Sequence, residues 1–159
     1  MKKLIIDGHN LVPKIPGLHL KDEDDEVRLI ELLQEYCRLA RRQAELFFDG
    51  APEPTASNRK HGLVHVHYIK LGYSADDAII QYVHNLGNDK NNWTVVSSDH
   101  RIQNAALASG FKIMGSDAFS RLMSTTFSSE AAVQQKREKP PSPGEIDEWL
   151  QLFDQDKNS

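Results

Sequence analysis

Aspartates recur in this sequence at places where chemistry could use them. Asp7 closes the apolar run Leu4-Ile5-Ile6, Asp49 closes Leu46-Phe47-Phe48, and Asp99 closes Trp93-Thr94-Val95-Val96-Ser97-Ser98. A further acidic element, Asp76-Asp77, follows Ser74-Ala75. Carboxylates gathered in one place repel one another unless a cation sits between them. Hard oxygen donors of this kind suit Mg2+ or Mn2+. Such an ion can generate hydroxide from water and stabilise both the attacking and the leaving oxygen of a phosphodiester. Each residue alone has a plainer explanation. An Asp before Gly is a common turn former, and Ser74-Ala75-Asp76-Asp77 also reads as a capping box with Asp in place of Glu or Gln. Turns do not explain all of these positions if the fold brings them to one edge.

Other side chains stand near them in sequence. Asn10, in Asp7-Gly8-His9-Asn10, offers a neutral amide that can hold a carboxylate or water, or can simply shape a turn. His9 is placed to touch a substrate. Ser97 and Ser98 could orient ligands or cap the next helix, the capping role fitting better. Arg59 and Lys60, with His61, form a short basic loop suited to phosphate-backbone contact. Lys70, Tyr73 and Arg101 are expected near the same edge. His65 and His67 alternate along a strand and so share a face. A His-x-His pair can bind zinc, but no third ligand stands out, and an edge strand with a solvated face is the simpler account. Tyr36, Phe47, Phe48 and Trp93 read as core.

The elements that must position these groups alternate between strand and helix. Short apolar runs at 3–6, 46–48, 63–69, 93–98 and 111–114 read as about five strands. Between them lie a loop at 11–21, an amphipathic helix at about 22–42 carrying Val27, Ile30, Leu33, Cys37 and Ala40, a loop at 51–61, and helices at about 74–86, 100–109 and 117–123. Alternation of this kind predicts an α/β fold, doubly wound, with a mainly parallel sheet and helices on both faces. Sites in such sheets lie beyond the carboxyl ends of the strands, where Asp7, Asp49 and Asp99 fall. The domain is expected to end near 123. A polar, proline-containing linker is expected over 124–144. A short amphipathic helix at 145–155, with Ile146, Trp149, Leu150 and Phe153, is expected to dock on or near the domain.

Composition narrows the function classes. The chain has 159 residues, 39% of them hydrophobic and 26% charged, which suits a globular domain rather than a disordered one. The net charge of -4 argues against a general nucleic-acid coat but not against a nuclease. No apolar stretch reaches the roughly 20 residues of a membrane helix, and the start Met1-Lys2-Lys3-Leu4-Ile5-Ile6-Asp7 is too short in apolar residues for a signal peptide. One cysteine, Cys37, gives no internal disulfide, so a cytoplasmic location is expected.

The ordered set Leu4-Ile5-Ile6-Asp7-Gly8-His9-Asn10, Phe48-Asp49-Gly50, Ser74-Ala75-Asp76-Asp77 and Val95-Val96-Ser97-Ser98-Asp99 resembles the NYN domain of the PIN-like nuclease superfamily, and most closely its YacP-like bacterial group. The resemblance implies a metal-dependent endoribonuclease using Mg2+ or Mn2+. It implies single-stranded messenger RNA as substrate, with the ribosome as a further partner. It makes Asp7, Asp77 and Asp99 the metal-binding core, with Asp76 and Asp49 as additional acidic positions and Asn10 as an organising amide. His9 stands where an aromatic or small residue is common. The alternatives are a non-catalytic RNA- or ribosome-binding module and a phosphatase of another α/β class. A haloacid-dehalogenase-type site would need Asp where His9 stands, and no Gly-x-Gly-x-x-Gly follows the first strand, which disfavours dinucleotide binding.

Overall fold

The structure, a computed structural model, describes residues 1–18, 23–51 and 58–138. Among the described residues there are six strands: β1 (Lys2–Asp7), β2 (Arg42–Ala51), β3 (Asn58–His61), β4 (Val64–Lys70), β5 (Trp93–Val96) and β6 (Lys112–Met114). The helices are α1 (Gly8–Leu11), α2 (Glu23–Ala40), α3 (Ala75–Leu86), α4 (His100–Ala108) and α5 (Ser116–Glu138). The strands form one sheet in the order β3-β4-β2-β1-β5-β6. All pairings are parallel except β3 with β4. The α/β, mainly parallel architecture matches the expectation, with one strand more than the five expected.

β1 sits at the centre because Leu4, Ile5 and Ile6 are apolar on both sides of the pleat and are buried on both. From β1 the chain moves outward to β2 and β4, then returns to place β5 on β1's other side. That reversal creates a crevice between the carboxyl ends of β1 and β5, the place where open α/β sheets bind ligands.

Alternation decides the two faces. Ile5, Phe47, Trp93 and Val95 pack with Ala75, Ile79 and Val83 of α3 and with Ile102 and Ala106 of α4. Leu4, Ile6, Leu46 and Val96 point the other way. On α2, Leu29, Ile30, Leu33, Tyr36 and Cys37 are buried at helical spacing, while Val27, expected in that stripe, is 53% exposed. Asp25 is buried in its stead, at 3%. Tyr36 meets Phe119 of α5 edge to face, at 5.2 Å between centroids. Each fully buried side chain of this size contributes about 1.5–3 kcal/mol.

Several local expectations change. The basic segment Asn58-Arg59-Lys60-His61 is not a loop but β3, an edge strand antiparallel to β4. β4 is therefore an interior strand, not an edge with a solvated face. The segment 11–21, expected as a loop, begins with the end of α1 and a 3-10 turn at Val12–Lys14. The last helix runs well past 123. Thr125 and Thr126 donate their hydroxyls to the carbonyls of Arg121 and Leu122, at 3.0 and 2.9 Å, so their polar groups are satisfied within the helix. Met1–Thr126 is one compact unit and Phe127–Ser159 a second, whose described part is the end of α5. The expected linker residues 139–144 and the expected C-terminal helix lie outside the described residues. Among the described residues, no helix is long and apolar enough to cross a membrane.

Candidate active site

Asp7 ends β1 and is only 6% exposed. The chain turns directly from it into α1, and Gly8 is what permits that turn. A Cβ on Gly8 would stand 2.4 Å from Phe48 Cε1 and 2.8 Å from the Phe47 carbonyl oxygen. On β2, the register with β4 shifts between Phe48 and Ala51. Gly50 takes a φ of 77° within that bulge, a conformation only glycine adopts freely, and Asp49 stands beside it.

Asp99 follows β5 and caps α4. Its Oδ1 accepts from the backbone N–H groups of Arg101 and Ile102, at 2.9 and 3.2 Å. Its own N–H donates to Ser97 Oγ at 3.0 Å. Asp99 is thus itself the cap, and Ser97 supports it from within the core. Ser98 is held as well: its N–H donates to Asn10 Oδ1 at 2.8 Å and its Oγ accepts from Ser116 N–H at 3.0 Å. Asn10 Oδ1 also accepts from the Ser116 hydroxyl at 2.5 Å. One amide oxygen therefore fastens the loop after β5 and the start of α5 to the turn after β1.

Ser74 caps α3, its Oγ accepting from Asp77 N–H at 3.1 Å, as the capping box requires. The two acidic residues that follow diverge. Asp76 faces the carboxylates. Its own carboxyl is raised first by burial and then by the charges of Asp99 and Asp49, with Arg101 opposing. Burial first, and the charge of Asp76 next, push Asp7 up to about 6, against the backbone N–H of Asn10 and the charge of His9. Asp77 instead faces solvent, 63% exposed, and pairs with the Arg101 guanidinium. That hydrogen bond, first, and the one from Ser74 hold its carboxyl below the ordinary range.

Asp76 thus links the group, its charge acting with those of Asp7, Asp49 and Asp99, while Asp77 lies on the outer side. The positive charges acting on them have partners of their own. Arg101 has Asp77. His9 bridges two carboxylates, with Nδ1 2.7 Å from Asp49 Oδ1 and Nε2 2.9 Å from Glu26 Oε1. The hydrogen bond to Glu26 is the largest of the effects that raise the imidazole's pKa. Sequence reading did not single out Glu26, which lies in the first turn of α2. The donor set of these four carboxylates is hard oxygen, with the His9 imidazole beside it on Asp49 and a buried Asp7 disfavoured by its neighbours. It fits Mg2+ or Mn2+.

The remaining candidates spread along the rim. A cleft of about 450 Å3 opens beside Ser74 and Asp77, lined also by Asn58, Tyr68, Lys70 and Tyr73. Tyr73 is 64% exposed and carries the Lys70 ammonium 5.0 Å from its ring centroid. Arg59 lies 5.8 Å over Tyr68. Lys60, paired in register with His65, is exposed on β3. Among the described residues, one group of His, Cys, Asp and Glu has candidate ligand atoms all within 4.8 Å of one another. It is Glu45, His65 and His67, apart from the aspartates. Glu45 is the third residue of that group, and sequence reading did not find it.

Residues 4–152 match the family model described as the YacP-like NYN domain. The fold is similar to that of Rae1 (YacP) from Bacillus subtilis, at 23% identity and a TM-score of 0.70, over 100% of this chain and 96% of that one. It is equally similar to a mutant of that protein, at 23% identity and a TM-score of 0.69, over 88% and 86% of the two chains. No curated protein sequence matches the chain.

Proposed function

The chain belongs to the YacP-like NYN domain family, and on that premise we propose that it is a divalent-metal-dependent endoribonuclease acting on single-stranded RNA of the messenger class. One observation carries the proposal. At the crevice between β1 and β5, a buried Asp7 is held next to the charges of Asp76 and Asp49, and Asp76 next to Asp99. Such an arrangement is costly for a fold to keep and useful mainly where a cation and a phosphate meet.

Asp7, Asp76 and Asp99 would hold Mg2+ or Mn2+, with Asp49 at the border, where His9 shares its charge. When bound, the ion supplies an activated water and charge stabilisation at the scissile phosphate. The chain's own groups do the rest. Asn10 would hold the turn that carries Asp99 by fixing the Ser98 backbone. Asp77 holds Arg101 at the rim, where the guanidinium can meet a phosphate flanking the cut. Lys70, Arg59 and Lys60 extend the positive surface, and Tyr73 offers an exposed ring on which an unpaired base can stack. In this reading the resemblance's Asp77 serves as a positioning residue for Arg101, and Asp76 takes the ligand place beside it. Action on messenger RNA would put the protein in the cytoplasm.

The test is cleavage of a labelled single-stranded RNA by metal-stripped protein with Mn2+ or Mg2+ restored, with Asp7→Asn as control. Cleavage that needs the ion and disappears in Asp7→Asn supports the proposal. Hydrolysis of para-nitrophenyl phosphate without RNA cleavage would make the protein a phosphatase. RNA or ribosome binding without cleavage would make it a binding module. Cleavage of free RNA shows that the ribosome is dispensable; cleavage only on translating ribosomes makes it a required partner.

A further inference from the structure

We propose that Glu45, His65 and His67 form a second metal site, selective for Zn2+ and separate from the aspartates. Glu45 lies on β2 and the two histidines on β4, with Glu45 and His65 directly paired in register. Glu45 Oε2 is 3.1 Å from His65 Nδ1 and 2.5 Å from His67 Nε2, so both imidazoles converge on one carboxylate oxygen. The side chains are 19%, 35% and 11% exposed, which leaves one open side. Two imidazoles, one carboxylate and an open fourth position are a recognised zinc donor set. Nitrogen donors favour Zn2+ over Mg2+. Ligand atoms about 3.3 Å apart are what a tetrahedral zinc with bonds near 2.0–2.1 Å requires, so a small rotation of the Glu45 carboxylate away from His67 opens the place.

The surroundings support the ligands. His67 Nδ1 lies 3.1 Å from Asn58 Oδ1, which can accept its proton and leave Nε2 for the metal. Tyr82, on α3, hydrogen-bonds to Glu45. Phe47 stacks on the His67 ring at 4.4 Å and an interplanar angle of 9°, which fixes the ring's orientation. Phe47 also separates this site from the other one. In register, Asp7 pairs with Phe47 and Phe47 with His67, so Phe47 stands between them. Asp7 and His67 are thus two strand spacings apart, about 10 Å. A zinc here would tie β2 to β4, with Asn58 of β3 and Tyr82 of α3 supporting its ligands. The inference does not depend on the ribonuclease reading.

The test titrates Zn2+ into the metal-stripped 159-residue chain in excess Mg2+, which occupies carboxylate-only sites. The expected result is one equivalent bound and a rise in Tm. Binding and the rise in Tm should survive Asp7→Asn and disappear in His65→Ala and in Glu45→Gln. Asn58→Ala should weaken binding about 10-fold. Should either ligand variant fail to fold by circular dichroism, imidazole 15N shifts in the unaltered protein decide. Zn2+ should move His65 and His67 and leave the other five of the seven histidines in place. No zinc binding, zinc that moves none of these shifts, or zinc lost in Asp7→Asn but kept in His65→Ala overturns the proposal and leaves the three residues as a hydrogen-bonded cluster.

Discussion

Replacing Asp7 by Asn should abolish RNA cleavage and, in the absence of metal, make the protein more stable. Burial and the charge of Asp76 move the Asp7 carboxyl from 3.8 to about 6. At about 1.4 kcal/mol per pH unit, ionising it costs the fold up to about 3 kcal/mol; the aspartates' solvent-facing side screens this to about 1–2 kcal/mol. The sign follows from the raised value. The proton stabilises the folded state, fully below about pH 4, and that stabilisation is lost as pH rises through about 6. Asn carries no charge, accepts the same Asn10 N–H and can donate to the neighbouring carboxylates. In chelator at pH 8, Asp7→Asn should therefore unfold about 2–8 °C higher than the parent. The difference should shrink on acidification and vanish near pH 4. His9, whose pKa is also raised, titrates in both proteins and largely cancels in the difference. Thermal unfolding by circular dichroism across this range is the assay. A variant less stable than the parent at pH 8, or a gain independent of pH, would refute the claim that burial and the neighbouring carboxylates disfavour the ionised Asp7.

Asp76→Asn should slow cleavage by about 100-fold or more, as loss of an inner ligand costs several kcal/mol, while Asp77→Asn should cost less than about 10-fold and act through Arg101; single-turnover rates on one RNA separate the two. Asn10→Ala leaves the Ser98 N–H and the Ser116 hydroxyl without their acceptor and should cost about 1–3 kcal/mol in urea unfolding, together with cleavage. Gly8→Ala forces a methyl against Phe48 and the Phe47 carbonyl and should destabilise by about 1–3 kcal/mol, read as a lower denaturation midpoint at unchanged slope. Tyr73→Ala should weaken binding of single-stranded RNA by about 1–3 kcal/mol in a fluorescence titration, because the base loses its stacking surface.

The fold was legible wherever burial dictated residue type. Leu4-Ile5-Ile6 reads as a central strand because both faces are covered, and Ser74 with Asp77 reads as a helix start because the cap bond is local. β3 was hidden because Asn58-Arg59-Lys60-His61 lies on an edge, where no apolar pattern is demanded. The length of α5 was hidden because its exposed Ser, Thr and Gln residues resemble a linker in composition. In the site, that Asp7, Asp49 and Asp99 fall on one edge of the sheet was legible, because β1, β2 and β5 run parallel. The choice between Asp76 and Asp77 was not, since adjacent helical residues differ only in the direction they face. Glu45 escaped notice because the expected second strand began at Leu46. Glu26 escaped because its partner, His9, is remote in sequence.

The most direct test of the central claim is a crystal soaked in Mn2+ and measured for anomalous scattering. The account predicts a manganese peak in the crevice between β1 and β5, with carboxylate oxygens of Asp7, Asp76 and Asp99 about 2.0–2.3 Å away. A crevice without a peak, or manganese held only on the outer side by Asp77, would contradict it.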